Sequence, residues 1–137
     1  MIESEKVRDM PSTAKAAQFI MMIQGAFGIV SAVAMIVLLV GAHGDVVPSE
    51  IAFFFLSVLL VGAALLAGWT AGKWISRGAR VWTTAVLIEG FILVGGIAMA
   101  VPDAGADLGF SNVTTFLMPA AVLVLLFLPR TRSWFDR

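Results

Sequence analysis

Four long apolar stretches, separated by short polar segments, dominate the chain. The stretches cover about Ala16–Val40, Ile51–Gly72, Val81–Val101 and Phe110–Leu128. A helix needs about 20 apolar residues to cross the hydrocarbon core of a bilayer, and each stretch meets or approaches that length. The first stretch is also much longer than the core of a signal peptide, so we expect a retained helix. The pattern therefore predicts an all-α polytopic membrane protein, a four-helix bundle.

Composition supports the membrane prediction and narrows the chemistry. Of the 137 residues 60% are hydrophobic and 13% are charged, and the mean hydropathy is +0.98. In soluble domains about a quarter of all residues are charged. The absence of cysteine excludes disulfides, thiolate metal sites and thiol nucleophiles. We expect one transmembrane domain, residues 14–128, between an N-terminal tail of residues 1–13 and a C-terminal tail of residues 129–137.

The nine Lys and Arg residues fall into three clusters, and the clusters alternate with the apolar stretches. They are Lys6, Arg8 and Lys15; Lys73, Arg77 and Arg80; and Arg130, Arg132 and Arg137. Short loops rich in Lys and Arg stay in the cytoplasm. This distribution predicts a multi-pass protein of the bacterial inner (plasma) membrane with both termini and the central loop in the cytoplasm. It also leaves no basic face for nucleic acid.

The four tryptophans lie at the same predicted ends as the cations. Trp69, Trp74, Trp82 and Trp134 all lie near cytoplasmic boundaries. Indole rings favour the interface, where the ring is buried and the N–H stays wet. The pattern predicts four interfacial anchors.

Small residues recur where helices could approach closely. Ala64, Gly68 and Gly72 repeat every four residues in the second stretch. Gly25 and Gly28 form a similar strip in the first stretch, and Gly96 flanks the Glu89 face of the third. Close packing of small residues drives much of helix association in lipid. A self-associating seam would use such strips, but packing within the chain is the better interpretation.

Glu89 is the one ionisable side chain at membrane depth, and Gln24 is its expected partner. A carboxylate near the bilayer centre costs about 2.5–3.5 kcal/mol on insertion scales, so it must be protonated, paired or hydrated. Glu89 and Gln24 each lie eight residues from the cytoplasmic start of their stretch. At about 1.5 Å per residue both are about 12 Å deep. We expect a shared buried polar layer in which Glu89 could also handle a proton.

The predicted outer loops contain the chain's candidate residues for a metal site. His43, Asp45, Glu50, Asp103 and Asp107 could gather a cation, but they lack a recognised ligand spacing. The pattern predicts no metal and no cofactor. No catalytic triad or phosphate-binding loop occurs, so we expect no enzyme and no catalytic residue.

Short motifs give the chain a resemblance to small four-span membrane proteins of actinobacteria, most of which have no assigned function. The motifs are Pro11, the segment Ser76-Arg77-Gly78-Ala79-Arg80, and Leu128-Pro129-Arg130 followed by Trp134-Phe135. The resemblance implies a plasma-membrane location and transfers no catalytic residue. It also fits an accessory role, because some such proteins are subunits of respiratory or envelope assemblies.

Two functional hypotheses follow. The first is a non-enzymatic accessory or scaffold subunit, whose partners are the lipid bilayer and other membrane protein subunits. The alternative is a small proton- or ion-coupled transporter or channel that uses Glu89 and works as a homo-oligomer. A third interpretation, recruitment of anionic lipids, needs roughly four to eight clustered cations, whereas each cluster here has three.

Overall fold

The computed structural model of the protein describes residues 10–41, 48–76, 78–100 and 110–136, and within these ranges every regular element is helical. The elements are α1 (Ser12–Gly41), α2 (Pro48–Gly72), a short 3-10 helix (Trp74–Ser76), α3 (Ala79–Ala100), α4 (Phe110–Phe127) and α5 (Pro129–Phe135). The predicted all-α class is confirmed.

Three of these helices, α1, α2 and α3, contain segments long and apolar enough to cross a membrane. A fourth crossing is counted only if Phe116–Phe127 and Pro129–Phe135 form one broken span, because the two segments are bent by 73°. The structure therefore supports three or four of the predicted spans.

The first three long helices begin two to four residues before the apolar stretches that predicted them. In α1 the Lys15 amide donates to the Pro11 carbonyl over 3.0 Å, so the helix already runs from Ser12. In α2 the first residue is Pro48, three residues before the apolar stretch. Proline is tolerated at a helix start because the first-turn N–H groups have no intrahelical partner. Boundary polar residues thus extend the helices beyond their apolar cores.

The four long helices pack in a closed order, in which α1 contacts α2 and α4, and α3 also contacts α2 and α4. Side-chain bonds at one end hold this order. Gln18 Nε2 donates to the Ala71 carbonyl over 3.0 Å, joining α1 to α2. Trp82 Nε1 donates to the Leu126 carbonyl over 3.0 Å, joining α3 to α4. We call this end, formed by the start of α1, the end of α2, the start of α3 and the end of α4, the basic end.

The C-terminal segment, expected only as a tail, forms helix α5 and closes the basic end. Thr131, Trp134 and Phe135 of α5 are buried. Thr131 Oγ1 donates to Thr13 Oγ1 over 2.8 Å, which fixes α5 to the first turn of α1. Pro129 allows the sharp change of direction after α4, because proline starts a helix readily but cannot continue one.

Burial along α1 is uneven. The buried residues lie on one stripe at helical spacing, Ala14, Ala17, Met21, Gln24, Gly25 and Gly28. No side chain described between residues 29 and 38 is buried. The interior contacts of α1 are therefore concentrated in the half that lies toward the basic end.

Candidate functional site, a buried Gln24 and Glu89 pair

Gln24 on α1 and Glu89 on α3 meet inside the protein. Gln24 Nε2 donates to Glu89 Oε2 over 3.0 Å. Glu89 is fully buried, and Gln24 is only 7% exposed. The pairing that equal depth along two helices predicts is thus present. It links two helices that the closed order separates, since α1 lies between α2 and α4.

The pair has no buried cation beside it among the described residues. The other buried polar side chains there are Thr70 and Thr131. Thr70 Oγ1 donates to the Leu66 carbonyl of its own helix over 2.8 Å, and Thr131 bonds to Thr13. Glu89 is therefore the one buried ionisable group in the described part of the chain, and an amide is its partner.

Two oxygens of the pair retain unused acceptor capacity. Gln24 Oε1 and Glu89 Oε1 are buried and have no hydrogen-bond partner in the structure. A buried polar atom without a partner carries a free-energy cost. A carboxyl group that holds a proton supplies one additional donor, whereas an ionised carboxylate supplies none. The chemistry available to this pair is hydrogen bonding between helices and the uptake of one proton.

A close helix contact lies next to Gln24. A Cβ built at Gly25 would stand 2.7 Å from Gly68 Cα, and one at Gly28 would stand 2.8 Å from Ala64 Cβ. The strips of small residues in α1 and α2 therefore face each other within one chain. This contact lies one residue along α1 from Gln24, beside the bonded pair.

Not every predicted glycine belongs to this contact. A Cβ at Gly72 would meet nothing within 4 Å, because α2 ends there, so the packing role expected for Gly72 is not supported. Gly96 is buried in α3, as expected. Sequence reasoning missed Gly95, where a Cβ would lie 2.6 Å from Leu60 Cδ2. Its spacing gives no signal, since its partner is a leucine and not a second small residue.

The four tryptophans have different environments, and the interfacial prediction is wrong for two of them. Trp74 is fully buried, and its ring meets Phe135 edge-on with centroids 5.0 Å apart. Trp134 is 4% exposed. Both residues lie at the basic end, which helix α5 covers, and the sequence pattern did not reveal that helix. Trp69 is 66% exposed, as an interfacial residue should be, and Trp82 is partly buried.

The cationic positions lie at the surface where the structure describes them. The exposed ones are Lys15, Lys73, Arg80, Arg130 and Arg132. Arg77 lies outside the described residues, and so do His43, Asp45, Asp103 and Asp107 and the side chain of Glu50. No group of three or more potential metal-ligating side chains occurs within the described ranges.

Comparison of the chain with family models, with curated proteins and with solved structures found no match. The functional argument therefore depends on the site, the surfaces and the sequence pattern.

Proposed function

We propose that the protein is a non-enzymatic accessory subunit of a larger membrane protein complex. In this proposal it crosses the bacterial plasma membrane four times as a helical bundle, with both termini in the cytoplasm. The alternation of cationic clusters with apolar stretches supports this orientation. The resemblance to small actinobacterial membrane proteins is compatible with it.

The observation that carries the proposal is the uncovered half of α1. Between Gly28 and Leu38 six large apolar side chains are exposed, from Val33 at 57% to Leu38 at 72%, whereas Ala32 and Met35 are half-buried. At about 100° per residue, the exposed positions cover more than half of the helix circumference. Ser31 and Ala34 are exposed among them. Small residues permit close approach of another helix in lipid.

The interior of the protein supports the same conclusion. Its one buried acid is bonded to Gln24 of the same chain. Between α1 and α2 the contact is too close to admit a Cβ at Gly25. The interior therefore serves helix packing, which leaves the outer surface for recognition of a partner.

Native purification with identification of partners by mass spectrometry tests the proposal. The full chain should co-migrate in stoichiometric amount with a larger complex in mild detergent. Ala34→Trp should lose this co-migration, because a bulky side chain prevents close helix approach. Ala26→Trp is the matched control. Ala26 is exposed on the same helix but lies in the half toward the basic end, outside the uncovered half. Absence of a stoichiometric partner, or equal behaviour of the two variants, would refute the proposal.

One observation favours the second candidate, a proton- or ion-coupled carrier. The buried oxygens without partners at Glu89 and Gln24 leave a site that can accept a proton. Such a carrier would purify as a homo-oligomer. Its pH-dependent flux in vesicles would disappear in Glu89→Gln, which retains hydrogen bonding but cannot titrate. Flux that persists in this variant would exclude Glu89 as the coupling group.

A further inference from the structure

The fold brings together cations that are far apart in sequence. Lys15 lies in the first turns of α1, Lys73 follows the end of α2, and Arg80 lies in the first turn of α3. Arg130 and Arg132 belong to α5, which packs against α1, α3 and α4. All five side chains are exposed at the basic end. Cations from all three clusters thus lie at the same end of the helices, and we call them together the cationic surface.

This surface carries little compensating charge within the described residues. Asp136, also exposed, is the one carboxylate that the structure places at the basic end. None of the five cations forms an ion pair with a carboxylate of the described ranges. Within the described part of the chain, no carboxylate neutralises these charges, which leaves them available to an external anion.

Two of the cations rest on tryptophan rings. Lys73 Nζ lies 5.0 Å from the centre of the Trp69 ring, and Arg132 Cζ lies 5.4 Å from the centre of the Trp82 ring. The Trp82 ring is itself fixed, because its N–H donates to the Leu126 carbonyl and the ring packs at 88° to that of Phe127, with centroids 5.7 Å apart. Tryptophan rings favour the headgroup level of a bilayer. The stacked cations are thereby held at that level.

We propose that the cationic surface at the basic end is a docking surface for anionic phospholipid headgroups. Each sequence cluster alone has three cations, fewer than the roughly four to eight that bind anionic lipid. The five described cations, drawn from all three clusters, reach that range. Charge complementarity, the position of the tryptophans and the membrane-spanning helices together favour lipid over a soluble acidic partner. The proposal is independent of the accessory-subunit function.

Intrinsic tryptophan fluorescence can measure this binding, because Trp69 and Trp82 lie beside the cations. The full chain is reconstituted into phosphatidylcholine vesicles that contain a fraction of phospholipid brominated close to the headgroup. Brominated phosphatidylglycerol is compared with brominated phosphatidylcholine at equal mole fraction. Both leaflets have the same composition, so the result does not depend on the orientation of the protein.

We expect stronger quenching by phosphatidylglycerol, and we expect added salt to weaken that preference. Arg130→Gln combined with Arg132→Gln should lower the preference about fivefold for each cation removed. Arg130→Lys combined with Arg132→Lys is the matched control and should keep it. Thermal unfolding of both variants in detergent verifies that α5 remains folded.

Equal quenching by the two lipids in the unmodified chain would overturn the proposal and would leave a soluble acidic partner as the occupant. A preference that survives in the folded glutamine variant would overturn it as well. Co-purification with a protein complex has no bearing on either result.

Discussion

At the scale of single residues, Glu89 is the most costly group that the described helices contain. A carboxyl group at membrane depth must be protonated, paired or hydrated. Gln24 of α1 is the hydrogen-bond partner of Glu89. The partner could be predicted because two polar residues at equal depth in otherwise apolar helices have few alternatives. The atoms left without partners could not be predicted, since they depend on how the two side chains meet.

A double-mutant cycle on Gln24→Leu and Glu89→Leu measures what this pair contributes. Glu89→Leu alone should lower the free energy of unfolding by about 1–3 kcal/mol, because the buried amide of Gln24 loses its partner. The double variant should recover much of that loss. We expect a coupling of about 0.5–2 kcal/mol, the range found for hydrogen bonds between membrane helices. Thermal unfolding in detergent is the measurement.

Glu89→Gln is the control for this cycle. It preserves side-chain length and hydrogen bonding, so its stability should stay close to that of the unmodified chain. If Glu89→Leu is as stable as Glu89→Gln, the pair has no structural role.

At the scale of elements, the division of α1 near Gly28 organises the protein. The half toward the basic end packs against α2 through Gly25 and Gly28, and the other half is exposed. Small-residue spacing predicted which helices can approach closely. It did not predict where the contact ends, because exposure depends on how neighbouring helices diverge. Helix α5 escaped prediction for a related reason, since a seven-residue segment has no apolar period that distinguishes it from a tail.

Gly25→Ala tests the α1–α2 contact, and Gly62→Ala is the control variant. A Cβ at Gly25 would lie 2.7 Å from a backbone atom of Gly68, so the helices must separate. We expect a loss of about 1–3 kcal/mol in unfolding free energy, as is usual for overpacking. At Gly62 a Cβ meets nothing within 4 Å, so alanine there should be neutral or slightly stabilising. Circular dichroism during thermal unfolding compares the two, and equal stabilities would contradict the described contact.

At the scale of the whole molecule, the distribution of charge predicts which side each end faces. The structure places the described cations at one end of the helices. Orientation in the membrane stays a prediction from the positive-inside rule. The orientation depends on the membrane as well as on the fold, so the fold alone does not give it.

Single cysteines can test this topology, because the chain has none of its own. With Ser76→Cys and His43→Cys, we expect a membrane-impermeant thiol reagent to label the two positions from opposite sides in oriented membranes. Ser133→Cys, on α5, is the control and should share the compartment of Ser76. Labelling of positions 43 and 76 from the same side would mean that α2 does not cross the bilayer.

The sequence by itself determined the helical class, the helices long and apolar enough to cross a membrane, and the partner of Glu89. Each depends on hydropathy or on depth along one helix, and both are local properties that a linear pattern records. Only the tertiary structure decided that Trp74 and Trp134 lie inside and that α1 is covered along half its length. These properties depend on how distant segments pack, as when Phe135 meets Trp74, and no local period encodes such contacts.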